Sequence, residues 1–253
     1  MEENEPSVSN RENQNVWKLK GTLFWGTISF SVFAIIQAIA FGMYIGAKYG
    51  QLPEDELDEI AINFENNGDA LSIAMLATIF ICVPILLGMT KFKKNSSLKE
   101  YFSLNHVSIK KYLHWIGLTL LLLIASDSLS FLLGRPIVPE VMLKTYASSQ
   151  YTYLLFFSVV IGAPLFEELF FRGFLFIGFA NSVLKPIGAI LLTSFLWAVI
   201  HIQYDLYGII TIFLVGIFFG IARHKTGSIF VPMLIHALNN LIAMLETAYF
   251  SLP

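Results

Sequence analysis

Residues 164–174 read PLFEELFFRGF. This stretch places Glu167, Glu168 and Arg172 inside an apolar run that is long enough to lie in a membrane. A carboxylate at the centre of a bilayer costs about 3 kcal/mol or more, so it needs a partner or a function. On a helix, Glu168 and Arg172 share a face and can pair, whereas Glu167 points about 100° away. The spacing therefore predicts that one carboxylate is neutralised locally while its neighbour faces another group.

The composition identifies a membrane protein. Of the 253 residues, 56% are hydrophobic and 13% are charged, against about a quarter charged in an ordinary soluble domain. Several apolar runs reach the roughly 20 residues needed to cross a bilayer. The net charge of −2 indicates neither nucleic-acid binding nor an acidic substrate. Cys82 is the single cysteine, so we expect no disulfide framework and no thiol metal cluster.

The hydropathy pattern predicts an all-α polytopic membrane protein, a bundle of about seven transmembrane helices around a buried polar cavity. Residues 1–20 are polar and are predicted to form a disordered cytoplasmic tail. Residues 21–150 are predicted to hold three spans with polar loops, one of them the acidic loop 51–69, and residues 151–253 four more spans. The predicted spans cover residues 21–47, 70–89, 112–133, 151–183, 186–202, 206–222 and 228–249.

Lysine and arginine residues predict the orientation, because they concentrate in cytoplasmic loops. With the amino end in the cytoplasm and the carboxyl end outside, three basic residues fall outside, Lys48, Arg135 and Lys144. Arg172 lies within the membrane. The others all fall inside: Arg11, Lys18, Lys20, Lys91, Lys93, Lys94, Lys99, Lys110, Lys111, Lys185, Arg223 and Lys225.

Polar residues on three predicted spans lie at compatible depths. His201 ends the run SFLWAVIH, with Trp197 one turn before it. His236 and Asn240 are four residues apart and share a face of the last span. At a rise of about 1.5 Å per residue, these side chains and Glu167 all fall near the middle or inner half of the membrane. The sequence therefore predicts one buried site.

Such a set of side chains supports hydrolysis by an activated water molecule. A carboxylate in a water-poor site is a usable general base, and a nearby histidine can share or pass on the proton. A second histidine and an amide N–H can stabilise the oxyanion that forms when water attacks a carbonyl. No serine or cysteine stands out as a nucleophile, so we predict an activated water rather than an acyl-enzyme.

The three motifs resemble those of the CPBP family of intramembrane proteases, which includes the CAAX prenyl endopeptidases and many bacterial relatives. They are Glu167-Glu168-x-x-x-Arg172, Trp197-x-x-x-His201 and His236-x-x-x-Asn240. The resemblance covers about residues 151–249, the predicted catalytic region. Trp197 stands where the family usually has phenylalanine.

The resemblance implies an intramembrane endopeptidase, here in a bacterial cell membrane, that cleaves a peptide near a lipid-modified or hydrophobic end. Its partners would be the lipid bilayer and a membrane-associated peptide or protein, prenylated or not, with no nucleic acid. Glu167 would activate water with help from His201. His236 and Asn240 would stabilise the oxyanion.

The resemblance gives supporting roles to the remaining motif residues and leaves metal dependence open. Glu168 with Arg172 would hold the site together, and Trp197 would shape the pocket. Some members of the family have been described as metalloproteases, and a divalent metal such as zinc would use Glu167, His201 and His236. The spacing is not HExxH, so we expect metal-free catalysis or an optional metal.

Structural alternatives stay open for these residues. Glu168 with Arg172 can be a purely structural ion pair, His201 an interfacial residue, and His236 with Asn240 a hydrogen-bonding contact to another helix. Asp127 is a further intramembrane acid without an assigned role. Two other functions remain: an ion- or proton-coupled transporter, or a non-catalytic scaffold or immunity protein.

Overall fold

The computed structural model describes residues 15–53 and 66–252, and all regular structure in these ranges is helical. Most of the predicted amino-terminal tail and of the acidic loop 51–69 lies outside the described residues. The described helices are α1 Leu19–Tyr49, α2 Gly68–Thr90, α3 Leu98–Phe102, α4 Ile109–Leu132, α5 Glu140–Ser148, α6 Thr152–Ala180, α7 Lys185–Val199, α8 Leu206–Thr226 and α9 Phe230–Phe250.

Six of these helices are long and apolar enough to cross a membrane, namely α1, α2, α4, α6, α8 and α9. The chain is therefore a polytopic all-α membrane protein, as predicted. The predicted fifth span corresponds to α7, an apolar helix of 15 residues. At about 1.5 Å per residue it is roughly 22 Å long, less than the roughly 30 Å of a hydrocarbon core. Because α7 ends at Val199, His201 lies in the turn that follows and not on the predicted helix.

Two π-helical segments interrupt α6, at Ser158–Gly162 and at Glu168–Leu175. Pro164 follows the first, as Pro84 of α2 follows the π-helical segment Thr78–Cys82. A proline cannot donate a backbone hydrogen bond, and a π segment accommodates the resulting change in the hydrogen-bond ladder. The two acids of the opening stretch therefore lie where an α-helical turn passes into a π-helical one.

The phenylalanines around the acid pair form the core of the bundle. Phe166 is buried and stacks on Phe33 of α1, with ring centroids 4.8 Å apart. Phe174 is fully buried and stacks on Tyr101 of α3 at 5.7 Å. α6 is thus surrounded by protein at this level, which explains why the charged residues next to these rings are shielded from lipid.

Two close approaches of helices depend on glycine. At Gly178 of α6, a Cβ atom would collide with Thr22 of α1, which is fully buried. At Gly216 of α8, it would lie 3.0 Å from the ring of Trp197 and 3.2 Å from Arg172 Nη2. The contact at Gly178 joins α6 to α1, and the contact at Gly216 brings α6, α7 and α8 together around the candidate site.

We expect Gly178→Ala to lower the free energy of unfolding by about 1–3 kcal/mol, the usual cost of overpacking. Thr22 cannot move aside easily, because its hydroxyl also donates to the Trp17 carbonyl at 2.9 Å. The matched control is Gly117→Ala in α4, where an added Cβ meets no described atom within 4 Å. Unfolding of both purified variants in detergent checks this, and equal stability of the two would contradict the predicted contact.

Candidate active site

A fully buried ion pair anchors the site. Arg172 Nη1 donates to Glu168 Oε1 at 3.1 Å, and both side chains are 0% exposed. Arg172 Nη2 donates to the Gly216 carbonyl at 3.1 Å. The guanidinium carbon also lies 4.6 Å from the centre of the Trp197 ring and 5.6 Å from that of Phe219. The charge of Glu168 is therefore compensated within the bundle, as the four-residue spacing indicates.

A second arginine supports this pair and is not among the predicted site residues. Arg223 Nε donates to the backbone carbonyl of Arg172 at 3.0 Å, and Arg223 Nη2 donates to Ser103 Oγ at 2.6 Å. In the sequence, Arg223 looks like one more basic residue at the end of a span. Its burial and its contact across 51 residues follow from tertiary packing alone.

His236 connects the two adjacent acids. Its Nδ1 lies 2.9 Å from Glu168 Oε1, and its Nε2 lies 3.9 Å from Glu167 Oε2. The ring packs between Trp197 and Phe219, at centroid distances of 5.2 Å and 5.0 Å. Glu168 thus holds one edge of the imidazole, and the opposite edge is directed towards Glu167.

Glu167 has a different environment from its neighbour. Its side chain is 13% exposed and lines the central cavity. The indole N–H of Trp197 donates to Glu167 Oε2. Trp197 therefore does more than shape the pocket, since it orients the carboxylate that faces the cavity. The phenylalanine that is usual at this position in the resembling family has no N–H and cannot make this bond.

His201 is positioned by the same tryptophan. Its Nδ1 lies 2.8 Å from the Trp197 carbonyl, and the two rings are 5.2 Å apart. A carbonyl accepts only, so Nδ1 carries the hydrogen and the neutral ring keeps Nε2 as an acceptor. His201 lines the cavity beside Glu167. The turn after α7 therefore brings it to the predicted site even though the helix ends earlier.

Asn240 has a structural contact in addition to its place in the cavity wall. Its Nδ2 donates to the Val159 carbonyl at 2.8 Å, and its Oδ1 accepts from Asn239 Nδ2 at 3.1 Å. Val159 belongs to the first π segment of α6, where the helical hydrogen-bond ladder is altered. An amide carries two N–H hydrogens, so the second stays available to a group in the cavity.

One cavity of about 730 Å³ joins these residues. Five predicted site residues line it: Glu167, Trp197, His201, His236 and Asn240. Glu168 and Arg172 lie behind the wall and do not line it. Asp127 does line it. The wall thus brings Glu167, His201, His236 and the Asn240 amide into one cavity with a second intramembrane acid, Asp127.

The residues do not fit a metal ion in this arrangement. Among residues 15–53 and 66–252, no group of three or more His, Cys, Asp or Glu side chains is placed to hold one. Nε2 of His236 lies 3.9 Å from Glu167 Oε2, and no third such side chain among the described residues joins them in a group that could hold an ion. Glu167, His201 and His236 line one cavity without converging on a common point, so we derive no step through a metal.

The carboxyl-terminal part of the chain matches a sequence model of a known family. The matching residues are 149–242, and the family is described as type II CAAX prenyl endopeptidase Rce1-like. The predicted CPBP relationship is confirmed for this region. The match supports a CAAX protease-like enzyme of the membrane, at the level of the family, and a membrane-associated peptide as the class of substrate.

Two relatives share parts of the sequence, and neither name states a function. An uncharacterized protein of Mycoplasma capricolum subsp. capricolum is 26% identical over 252 residues, which cover 92% of this chain and 69% of the relative. An uncharacterized 24.3 kDa protein of Escherichia coli is 33% identical over 114 residues, 42% of this chain and 52% of the relative. No solved structure matches the chain.

We expect Arg172→Met to lower the free energy of unfolding by about 3–5 kcal/mol, because it leaves the buried Glu168 carboxylate without its counter-charge. The matched control is Lys144→Met, which breaks an ion pair of the same four-residue spacing with Glu140, 2.8 Å apart and exposed to solvent. Exposed pairs contribute little to stability, so this control should unfold like the unaltered protein. Equal effects of the two substitutions would show that the buried pair is not an anchor.

Proposed function

We propose that this protein is an intramembrane endopeptidase that hydrolyses a peptide bond of a hydrophobic or lipid-modified, membrane-associated substrate. The observation that carries the proposal is the contrast between the adjacent acids. Glu168 is enclosed with Arg172, whereas Glu167 faces a large cavity with the indole N–H of Trp197 and the ring of His236 beside it. A carboxylate held in this way is suited to take a proton from water.

In the proposed reaction, Glu167 removes a proton from a water molecule as the water oxygen attacks the carbonyl carbon of the scissile peptide. The new C–O bond gives a tetrahedral oxyanion. The C–N bond then breaks, and the proton passes from Glu167, with His201 as its neighbour in the cavity, to the leaving amine. Water supplies the new hydroxyl group of one product and the new hydrogen of the other, so the reaction needs no other reactant.

Donors for the oxyanion are His236 and Asn240. When both ring nitrogens of His236 carry hydrogen, Nδ1 donates to Glu168 and Nε2 donates towards the cavity. The second amide hydrogen of Asn240 is the other donor. Preorganised donors of this kind stabilise charge that develops in the transition state. Glu168 therefore has a proposed role beyond the ion pair, because it fixes the orientation of His236.

The orientation and location that we propose are amino end in the cytoplasm, carboxyl end outside, in a bacterial cell membrane. Contacts between the described ends of the helices support this orientation. Asn15 Nδ2 donates to the Lys94 carbonyl, Arg223 donates to Ser103 in the basic linker (residues 91–111), and Gly178 packs on Thr22. These contacts gather most of the described basic residues at one end of the bundle, and basic residues concentrate on the cytoplasmic side of membrane proteins.

The test is a comparison of membrane peptides by mass spectrometry in cells that produce the unaltered protein, Glu167→Ala or Glu100→Ala. Glu100 is exposed, lies in α3 and does not line the cavity. We expect at least one peptide to stay uncut only in the Glu167→Ala cells, because the general base is lost. Identical peptide sets in all three strains would refute hydrolysis by Glu167, and flux that depends on Glu167 would then favour a transporter.

A further inference from the structure

We infer that the cavity receives its substrate from the outer face of the membrane, so that the scissile bond belongs to an exported or outward-facing peptide segment. The inference rests on the proposed function and on the proposed orientation. It assigns a substrate class that neither the motifs nor the family match specifies: a membrane-anchored or secreted peptide that reaches the site from outside the cytoplasm.

The first observation is where the cavity has its mouth. Its outer wall includes Arg135, Asp205, Glu140 and Lys144, whose side chains are all exposed. Arg135 Nη1 donates to Asp205 Oδ2 at 2.6 Å, which joins the end of α4 to the start of α8. The cavity therefore reaches solvent at the end of the bundle where α4 ends and α8 begins.

The second observation is that the opposite end is closed. No cavity-lining residue comes from 76–121, 168–196 or 216–235 of the described chain. Behind Glu167 lies a layer of fully or nearly fully buried side chains, with Arg172 at its centre and Phe171, Phe174 and Phe219 around it. Arg223 seals this layer further through its bond to the Arg172 carbonyl. A peptide cannot reach Glu167 through this layer without unfolding the core.

The third observation is the distribution of basic residues between the two ends. The cavity end has Lys48, Arg135 and Lys144, and each of these is paired with a carboxylate. The closed end has the basic linker, with only Glu100 as a described acid. The described basic residues at this end, those of the linker included, are Lys18, Lys20, Lys91, Lys93, Lys94, Lys99, Lys110, Lys111, Lys185, Arg223 and Lys225. An asymmetry of this size places the closed end in the cytoplasm.

The path from the mouth to Glu167 runs past the turn between α7 and α8. Asp205 at the mouth and His201 in the cavity wall both belong to this turn, and Trp197 contacts both His201 and Glu167. A substrate must therefore present a flexible segment that enters the cavity beyond the Arg135–Asp205 pair.

The experiment uses single cysteines in a Cys82→Ala background, because Cys82 is the only native cysteine and is buried. Glu140→Cys and Val141→Cys lie at the cavity mouth, and Lys110→Cys is the exposed control at the basic end. A membrane-impermeant maleimide is added to intact cells and to permeabilised cells. We expect both cavity-mouth cysteines to react in intact cells and the Lys110→Cys cysteine to react only after permeabilisation. The reverse pattern would overturn the inference.

A second readout connects access with proteolysis. The peptide that stays uncut in Glu167→Ala cells should also stay uncut when intact Val141→Cys cells are treated with a bulky impermeant maleimide, compared with the same cells untreated. Cleavage that continues after complete labelling would overturn the substrate route. The labelling pattern is read without any proteolysis, so failure of the proposed function and failure of this inference give different results. Glu140→Cys keeps the labelling test decisive if Val141→Cys does not fold.

Discussion

The buried ion pair between Glu168 and Arg172 is the interaction on which the rest of the site depends. An isolated charge inside a membrane protein is costly, and an oppositely charged partner with further hydrogen bonds offsets much of that cost. Here Arg172 donates to the Glu168 carboxylate and to the Gly216 carbonyl and packs against the faces of two aromatic rings, while Arg172 Nε and Glu168 Oε2 have no hydrogen-bond partner among the described residues. These partners belong to α6, α7 and α8, so forming the pair also fixes how the three helices pack.

This constraint gives two adjacent residues of the same type different environments. Glu168 is fully buried and holds both Arg172 and His236, whereas Glu167 faces the cavity with an indole N–H on one oxygen. The proposed catalytic group thus depends on the structural one, because Glu168 holds the edge of His236 opposite the one that faces Glu167. We therefore assign stability to Glu168 and catalysis to Glu167, with His236 between the two carboxylates.

The sequence predicts those features of the site that depend on residues a few positions apart. The pairing of Glu168 with Arg172 follows from four residues on one helix, and the membrane fold follows from the length of the apolar runs. The indole bond from Trp197 to Glu167 was not predictable, because it depends on how α7 packs against α6. The Val159 carbonyl that Asn240 binds is part of a π segment, and a regular helix of 3.6 residues per turn does not indicate it. The contact of Arg223 with Arg172 joins residues 51 positions apart.

The most direct test of this division compares Glu167→Gln with Glu168→Gln, two substitutions that remove a charge and keep the shape. Each purified variant is measured for its free energy of unfolding in detergent and for cleavage of a peptide identified in cells. We predict that Glu167→Gln is as stable as the unaltered protein and does not cleave, and that Glu168→Gln is clearly less stable. Cleavage at the normal rate by Glu167→Gln, or normal stability of Glu168→Gln, would contradict this division.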